Sequence, residues 1–375
     1  MRVAVTGGGT GGHVYPAVAI AKYLITSHPE ADVVFIGSSH GPEEAAARDQ
    51  GIDFEGIDLT GFSRKRLTER LKALVLFTRG TFRCLEILKS LGISCVVGTG
   101  GYAAAPACFA ALLRRIPIIL HEVNYEPGLV TRLLSRRARA VSLAFEGTEN
   151  LLPSSARTVL TGVPVRPEIE RLRDAEARSS AKKDALLEFG VQEDRRTFVV
   201  FGGSRGAEAL NSSVWDVLQD YTDREDLQVL HLTGRPGFED RRRSELEERL
   251  SGTKLIYRAF AYTDRMDLVY SIADLVLARA GGSTIAELTT AGVPSVLVPF
   301  PYASGAHQEE NAARVEEYGA ARVMRQECDG AGAAVREALR LMEDTSALQS
   351  MKVACADFYR GNAAKGIVAL VEEVR

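Results

Sequence analysis

Short apolar runs alternate with helix-like stretches along this sequence, and the alternation constrains the fold more than any other feature. Parallel strands covered by helices on both faces give such runs, because neither face of the strand meets water. The runs outnumber the strands of one ordinary sheet. We therefore predict an α/β fold with two Rossmann-like, doubly wound domains facing across a cleft. The predicted strands are residues 3–6, 33–37, 95–99, 116–121, 140–144 and 158–162, then 197–201, 228–232, 255–258, 274–277 and 295–299.

A break between the two series lies in GVPVRP at residues 162–167, where a glycine and two prolines end the first series. A charged helical stretch at 168–189 leads into the second. We predict domains at 1–163 and 164–345, followed by a helical segment at 346–375 that packs back on the first domain.

Composition excludes several classes of protein. A net charge of -3 and a pI near 6.2 argue against a uniformly basic nucleic-acid binder. The five cysteines are scattered without C-x-x-C spacing, and their odd number in a long chain favours free thiols in a reducing cytosol. We find no signal-peptide pattern and no run of about 18 uncharged apolar residues that would predict a membrane span.

A glycine-rich loop, GGGTGGH at residues 7–13, joins the first strand to a helix. Such a loop presents backbone N–H groups to an anion at the positive end of the helix dipole. Gly7, Gly9 and Gly12 match the dinucleotide pattern G-x-G-x-x-G, but the second strand ends in GSSH without the acidic residue that a nicotinamide site requires. A tight turn without a ligand is the alternative. Similar loops at 98–107 and 202–211 predict a large ligand that carries a phosphate or pyrophosphate.

Residues 278–321 hold the densest group of polar candidates. GGST at 281–284 follows a strand, and we place Glu287 in the first turn of the next helix. There it either caps the helix or binds a ribose diol. His307 and Gln308 open a further helix, where neutral side chains can donate hydrogen bonds to phosphate or to sugar hydroxyls.

Six motifs in order carry a family resemblance: GGTGGH at 8–13, HEVN at 121–124, GVPVRPEI at 162–169, GGSRGA at 202–207, AGGSTIAEL at 280–288 and HQEENA at 307–312. Together they resemble the MurG family, the UDP-N-acetylglucosamine:undecaprenyl-pyrophosphoryl-MurNAc-pentapeptide N-acetylglucosaminyltransferases of bacterial peptidoglycan synthesis. The resemblance covers essentially the whole chain. It implies the GT-B architecture, with the acceptor and membrane side in the first domain and the donor side in the second.

The resemblance also implies an activity and a setting. The expected reaction is a metal-independent, inverting transfer of N-acetylglucosamine from UDP-GlcNAc to the 4-hydroxyl of MurNAc, converting lipid I to lipid II, with no cofactor. The expected location is peripheral, on the cytoplasmic face of the cell membrane. The processes implied are cell-wall biogenesis, cell shape and cell division, with other cell-wall synthesis proteins as partners.

Site residues are carried over from the family position by position. His13, Glu287 and Gln308 are the implied catalytic residues, with His13 as the candidate base. The implied substrate-binding residues are Thr10, Gly11, Gly12, Asn124, Arg166, Ser204, Ala261, Gly282, Ser283, Thr284, Ile285, Ala286, Glu287, His307 and Gln308. Departures from the family pattern are Gly282, Arg205 and Val123, and Arg205 adds a charge close to the expected diphosphate.

Transfer to a sugar hydroxyl requires a base and stabilisation of the leaving diphosphate. A histidine suits the first task near neutral pH. The alternative for His13 is a hydrogen bond to the acceptor pyrophosphate, and His121 and Glu122 are second candidates for the base. The sequence has no D-x-D triplet to hold a metal, so helix N-termini, Ser204 and Arg166, together with Arg205, are expected to neutralise the diphosphate.

Eight basic residues against two acidic ones lie between Arg64 and Lys89, with apolar residues among them. Such a stretch is typical of a surface that binds anionic lipid, although a core helix with a charged outer face is the alternative. The predicted membrane-contacting residues are Arg64, Lys65, Arg66, Leu74, Leu76, Phe77 and Phe82.

Other functions remain open at this point. A related sugar-nucleotide transferase with a different lipid or small aglycone would share the donor motifs. A non-hydrolysing sugar-nucleotide epimerase has similar architecture, a scaffold would keep the pocket without turnover, and the first loop alone suggests a dinucleotide oxidoreductase.

Overall fold

The computed structural model describes residues 1–9, 11–59, 67–203, 206–301 and 307–374, with the backbone alone for 67–72. Within these ranges the strands form two parallel sheets. The strands are β1 (Arg2–Thr6), β2 (Asp32–Ser38), β3 (Asp53–Ile57), β4 (Cys95–Gly98), β5 (Ile118–Glu122), β6 (Ala140–Leu143), β7 (Thr158–Leu160), β8 (Arg196–Phe201), β9 (Leu227–Leu232), β10 (Ile256–Phe260), β11 (Leu275–Ala278), β12 (Ser295–Leu297) and β13 (Ala321–Val323).

Helices separate most of these strands, as the sequence pattern predicts. They are α1 (Gly11–Ser27), α2 (Glu43–Arg48), α3 (Leu67–Ser90), α4 (Ala104–Leu113), α5 (Leu129–Leu134), α6 (Pro167–Glu170), α7 (Ala175–Phe189), α8 (Glu208–Leu218), α9 (Gly234–Phe238), α10 (Arg241–Leu250), α11 (Met266–Ile272), α12 (Gly282–Ala291), α13 (His307–Glu317), α14 (Ala331–Glu343), α15 (Thr345–Phe358) and α16 (Ala363–Glu372). None of the described helices is long and apolar enough to cross a membrane.

The chain divides into two compact units. Unit 1 comprises Met1–Arg166 and Arg360–Arg375, and unit 2 comprises Pro167–Tyr359. The predicted boundary at 163/164 lies close to the first crossing. The predicted segment 346–375 is split between the units, because α15 belongs to unit 2 whereas α16 packs against α1 in unit 1.

Unit 1 contains a seven-stranded sheet in the order β3-β2-β1-β4-β5-β6-β7. Apolar side chains of its central strands are buried on both faces, which accounts for their continuous apolar runs. One face packs against α3 and α4. The other packs against α1 and α16, where Ile367 and Val368 join the core around Val14 and Ile20.

Unit 2 contains a six-stranded sheet in the order β10-β9-β8-β11-β12-β13. In each sheet the strand order reverses beside the first strand, between β1 and β4 in unit 1 and between β8 and β11 in unit 2. Ligands of such folds bind outside the carboxyl ends of the strands at this switch point. The glycine-rich loops follow these same strands, so the topology gathers them where a ligand is expected.

The predicted α/β class is confirmed, while two strands were missed. Strands β3 and β13 lie at the edges of their sheets and include Asp53, Glu55 and Arg322. An edge strand has one unpaired side in contact with water, so it needs no continuous apolar run. The predicted helical stretch at 168–189 is divided before α7, where Asp174 caps that helix by accepting a hydrogen bond from the Ala177 backbone N–H at 2.8 Å.

Candidate functional site

The loops after β1 and β4 of unit 1 are packed backbone against backbone. The N–H of Gly8 donates to the carbonyl of Gly100 at 3.3 Å. Gly101 has a φ of +76°, and a Cβ atom there would lie 1.9 Å from the Gly8 carbonyl oxygen. Glycine at position 101 is therefore required both by backbone conformation and by the close approach of the two loops.

His13 lies in the first turn of α1, directly over this pair of loops. Its Nδ1 is 2.9 Å from the carbonyl oxygen of Thr99, and the Thr99 hydroxyl donates back to the His13 carbonyl at 2.6 Å. A carbonyl can only accept a hydrogen bond, so Nδ1 of the neutral ring carries the hydrogen and Nε2 carries the lone pair. This tautomer is the one a general base requires at Nε2.

Glu43 is a buried carboxylate that the sequence reasoning missed. It is fully buried at the start of α2, and its Oε1 accepts a hydrogen bond from the Gly9 N–H at 2.9 Å. Its other carboxylate oxygen, Oε2, is buried and has no hydrogen-bond partner. In a dinucleotide-binding domain, an acidic residue after the second strand binds a ribose. In this chain Glu43 instead bonds the glycine loop through the Gly9 N–H, which argues against a nicotinamide site.

His121 and Glu122, the second candidates for the base, are both buried at the end of β5. Burial lowers the pKa of His121 to about 3, and its Nδ1 bonds the Ser142 hydroxyl at 2.8 Å. Glu122 accepts hydrogen bonds from the Gly128 N–H at 2.9 Å and the Thr131 hydroxyl at 2.6 Å, and from the Asn124 N–H at 3.1 Å. These partners make Glu122 the anchor of the loop that carries Asn124.

Arg166 is brought close to the start of α1. Its guanidinium carbon lies 5.3 Å from the centre of the Tyr15 ring, within cation–π range. The Tyr15 ring in turn lies over Gly11, where a Cβ atom would be 3.1 Å from it. Unit 1 thus brings together Gly11, Gly12, His13 and Arg166 at one end of α1.

Glu287 of unit 2 lies on α12, but one turn later than predicted. The helix begins at Gly282, with Gly281 as its N-cap and no acidic residue in its first turn. The capping-box interpretation is therefore wrong, and Glu287 is too far along the helix for a first-turn dipole contact. Its Oε2 instead accepts a hydrogen bond from the hydroxyl of buried Tyr270 at 2.9 Å. Tyr270, which sequence reasoning missed, orients this half-buried carboxylate.

His307 and Gln308 open α13, as predicted. The Gln308 Oε1 accepts from the Phe300 N–H at 2.9 Å, so its amide nitrogen is the donor that a ligand would meet. The Nδ1 atom of His307 is buried and has no hydrogen-bond partner. An unsatisfied buried nitrogen at a helix N-terminus is consistent with a site that a ligand completes.

Arg279 is a second residue that sequence reasoning missed, although a charged residue directly after a buried strand was its signal. It is buried, and its guanidinium donates to the carbonyls of Val298 and Pro299 at 3.1 and 3.2 Å. Burial lowers its pKa. Asn311 of α13 donates to the Ala280 carbonyl at 3.4 Å. These bonds join the loops after β11 and β12, and so set Gly282–Glu287 relative to His307 and Gln308.

Several predicted residues lie outside the described residues: Thr10, Ser204, Arg205, Arg64, Lys65 and Arg66. Of the predicted membrane residues on α3, Leu74 and Phe82 are exposed, whereas Leu76 is half-buried. The half-buried Phe77 packs edge-on against Phe109 of α4, with ring centres 5.5 Å apart. Among the described residues there is no cluster of three or more His, Cys, Asp or Glu side chains suited to a metal ion.

Two Rossmann-like units with glycine loops at the switch points of their parallel sheets are the architecture of the GT-B glycosyltransferases. Family models agree. Residues 3–143 match the glycosyltransferase family 28 N-terminal domain, and residues 197–367 match its C-terminal domain. The chain belongs to glycosyltransferase family 28 and is an enzyme of that family.

Individual relatives place the chain more narrowly. A protein of Bacillus subtilis (strain 168) is 35% identical over 376 residues, covering 100% of both chains, and is named UDP-N-acetylglucosamine--N-acetylmuramyl-(pentapeptide) pyrophosphoryl-undecaprenol N-acetylglucosamine transferase. The crystal structure of MurG from Acinetobacter baumannii is 27% identical with a TM-score of 0.73, covering 99% of each chain. A UDP-GlcNAc 2-epimerase from Neisseria meningitidis, 15% identical with a TM-score of 0.69 over 100% of both chains, shares the fold alone.

Proposed function

We propose that this chain transfers N-acetylglucosamine from UDP-GlcNAc to the 4-hydroxyl of MurNAc in undecaprenyl-pyrophosphoryl-MurNAc-pentapeptide. The observation that carries the proposal is identity of about a third, over the whole chain, with relatives that bear this activity in their names. The similar fold of the epimerase is a weaker argument for its own chemistry, because identity that low indicates architecture only.

Unit 2 supplies the donor-binding residues in this proposal. Glu287, oriented by Tyr270, accepts hydrogen bonds from the two ribose hydroxyls. The N-termini of α12 and α13 direct backbone N–H groups at the diphosphate, and Gln308 offers its amide nitrogen to the sugar. Arg279 is not a ligand here, because its guanidinium is committed to backbone carbonyls and to Gln326.

Unit 1 supplies the base. Nε2 of His13 takes the proton from the 4-hydroxyl while that oxygen forms a bond to the anomeric carbon. The bond from this carbon to the diphosphate breaks on the opposite side, so the configuration inverts and UDP leaves with the electron pair. Thr99 keeps the hydrogen on Nδ1 and so keeps Nε2 able to accept. In the competing role His13 is protonated and donates to the acceptor pyrophosphate.

We further propose that α3 brings the enzyme to a membrane surface as a peripheral protein, on the cytoplasmic face. Leu74, Val75 and Phe82 are exposed apolar side chains, and Arg79 and Arg83 are exposed on the same helix. Apolar insertion together with attraction to anionic headgroups is how such helices bind bilayers. The polyprenyl chain of the proposed acceptor lies in the bilayer, so the enzyme has to bind the membrane surface to reach this substrate.

The test is transfer of labelled N-acetylglucosamine from UDP-GlcNAc to a polyprenyl-pyrophosphoryl-MurNAc-pentapeptide analogue in the presence of EDTA. Product is expected from the unsubstituted chain and from a Glu248→Ala control on the exposed face of α10. Strongly reduced product is expected from Glu287→Ala. No product, with calorimetric binding of UDP-GlcNAc retained, would move the acceptor to another lipid or aglycone. Loss of product on adding EDTA would refute metal independence.

A further inference from the structure

A chain of hydrogen bonds runs through the buried interior of unit 2 behind its glycine loop. The indole N–H of Trp215 donates to the Tyr257 hydroxyl at 3.2 Å, and that oxygen lies 2.9 Å from Nδ1 of His231. Nε2 of His231 lies 3.0 Å from Oδ1 of Asn211, whose Nδ2 donates to the Thr233 carbonyl at 2.8 Å. All five residues are buried, and none has been given a role above.

The direction of each bond follows from the two ends of the chain. The Thr233 carbonyl can only accept, so Nδ2 of Asn211 faces it and Oδ1 faces His231. Nε2 of His231 must then carry the hydrogen, and Nδ1 accepts from the Tyr257 hydroxyl. Burial lowers the pKa of His231 to about 3, so the imidazole stays neutral at physiological pH. Every polar atom along the chain is satisfied in this one arrangement.

Thr233 connects this chain of hydrogen bonds to two segments of the expected donor site. On one side, a Cβ atom at Gly206 would lie 2.1 Å from the Thr233 carbonyl oxygen, so Gly206 packs directly on that peptide. On the other side, the Thr233 N–H donates to the Phe260 carbonyl at 3.0 Å, and the Thr233 hydroxyl lies between the carbonyls of Gly234 and Phe260, at 3.0 and 3.3 Å. Phe260 directly precedes Ala261, one of the substrate-binding residues that the family resemblance implies.

We propose that His231 is a positioning residue for the nucleotide sugar, acting through Asn211 and Thr233 on the Gly206 turn and the Phe260–Ala261 segment. The inference rests on the proposed function, since it assumes that these segments bind UDP-GlcNAc. Without the N–H of His231, the amide of Asn211 is no longer held in one orientation and can turn away from Thr233. Both segments then lose a shared support.

The same chain makes Trp215 a reporter of the site. It is the one tryptophan of the sequence, and the residue is 2% exposed. The indole N–H of Trp215 begins this chain of hydrogen bonds. A shift of the Thr233 peptide when UDP-GlcNAc binds therefore changes the polarisation of the bonds that lead to Trp215. UDP-GlcNAc is therefore expected to change the fluorescence of Trp215.

Three variants test the inference by calorimetry with UDP-GlcNAc. His231→Leu removes the N–H that bonds Asn211 and should raise the calorimetric Kd for UDP-GlcNAc about tenfold. The acceptor KM in the transfer assay should stay unchanged. His231→Gln returns an N–H donor at that position and should restore binding to within about threefold. Tyr257→Phe is the matched control. It removes the hydroxyl at the other end of the hydrogen-bond chain, which lowers the free energy of unfolding, and it leaves the bond between His231 and Asn211 intact.

The outcomes separate this inference from the proposed function. A merely structural role would lower the Tm of His231→Leu and Tyr257→Phe alike and leave both affinities equal, which would overturn the inference. If His231→Leu does not fold, Trp215 fluorescence of the unsubstituted protein is titrated with UDP-GlcNAc instead. A change that follows the calorimetric Kd supports the inference, and unchanged fluorescence overturns it. Absence of calorimetric binding in the unsubstituted chain would refute the proposed function, and this inference with it.

Discussion

Acidification should destabilise unit 2 through His231, and the size of the effect follows from its burial. The side chain is fully buried and neutral, with its pKa lowered to about 3, whereas an imidazole in the unfolded chain has a pKa of about 6.5. Protons therefore bind the unfolded state first. This contribution to stability is complete above about pH 6.5 and is lost progressively as the pH falls towards 3.

The magnitude at pH 5 is the free energy of protonating the unfolded imidazole, RT ln(1 + 10^1.5), or about 2 kcal/mol. Of its hydrogen-bond partners only Tyr257 is titratable, and burial raises the pKa of that hydroxyl, so it stays neutral throughout. The His231→Gln variant keeps a donor to Asn211 and cannot titrate. It should therefore lose about 2 kcal/mol less stability than the unsubstituted chain between pH 7.5 and pH 5.

Urea unfolding followed by Trp215 fluorescence measures this difference, because the sole tryptophan lies in unit 2 and reports that unit alone. His40→Gln, a change at an exposed imidazole of unit 1, is the matched control and should leave the Trp215 transition unaltered at both pH values. Equal losses on acidification in His231→Gln and in the unsubstituted chain would show that His231 is not a buried neutral group, and would refute the reasoning.

Four further predictions concern the site and the membrane surface. His13→Ala should lower kcat about 10²–10⁴-fold if Nε2 is the base, whereas a loss confined to the acceptor KM would favour the pyrophosphate-binding role. Glu287→Ala should raise the KM for UDP-GlcNAc about 10–100-fold through lost charge-assisted hydrogen bonds, and an unchanged KM would remove the ribose assignment. Gly101→Ala places a Cβ atom 1.9 Å from a backbone carbonyl at positive φ, so the free energy of unfolding should fall by at least about 1–2 kcal/mol in a thermal or urea titration. Leu74→Ser combined with Phe82→Ser should weaken sedimentation with anionic phospholipid vesicles about tenfold or more, and undiminished binding would place the membrane surface elsewhere.

Much of the fold and the general location of the site could be predicted from the sequence. Apolar runs and glycine-rich turns are local signals, and they located most of the strands and every loop at the switch points. His307 and Gln308 were correctly placed at a helix start for the same reason. The edge strands β3 and β13 were missed because a strand with one solvated side lacks that signal, and Glu287 was misplaced by one turn because Gly282 is a weak marker of where a helix begins.

What the sequence alone determined is the α/β class, the division into two series of strands and the order of the loops, since each depends on residues close together in the chain. The chemistry within those loops depended on the tertiary structure. Glu43 reaches Gly9, Tyr270 orients Glu287, and Thr99 sets the tautomer of His13 through contacts between residues far apart in sequence. Strand order and register decide which side chains meet at the carboxyl ends of a sheet, and no local pattern encodes that pairing.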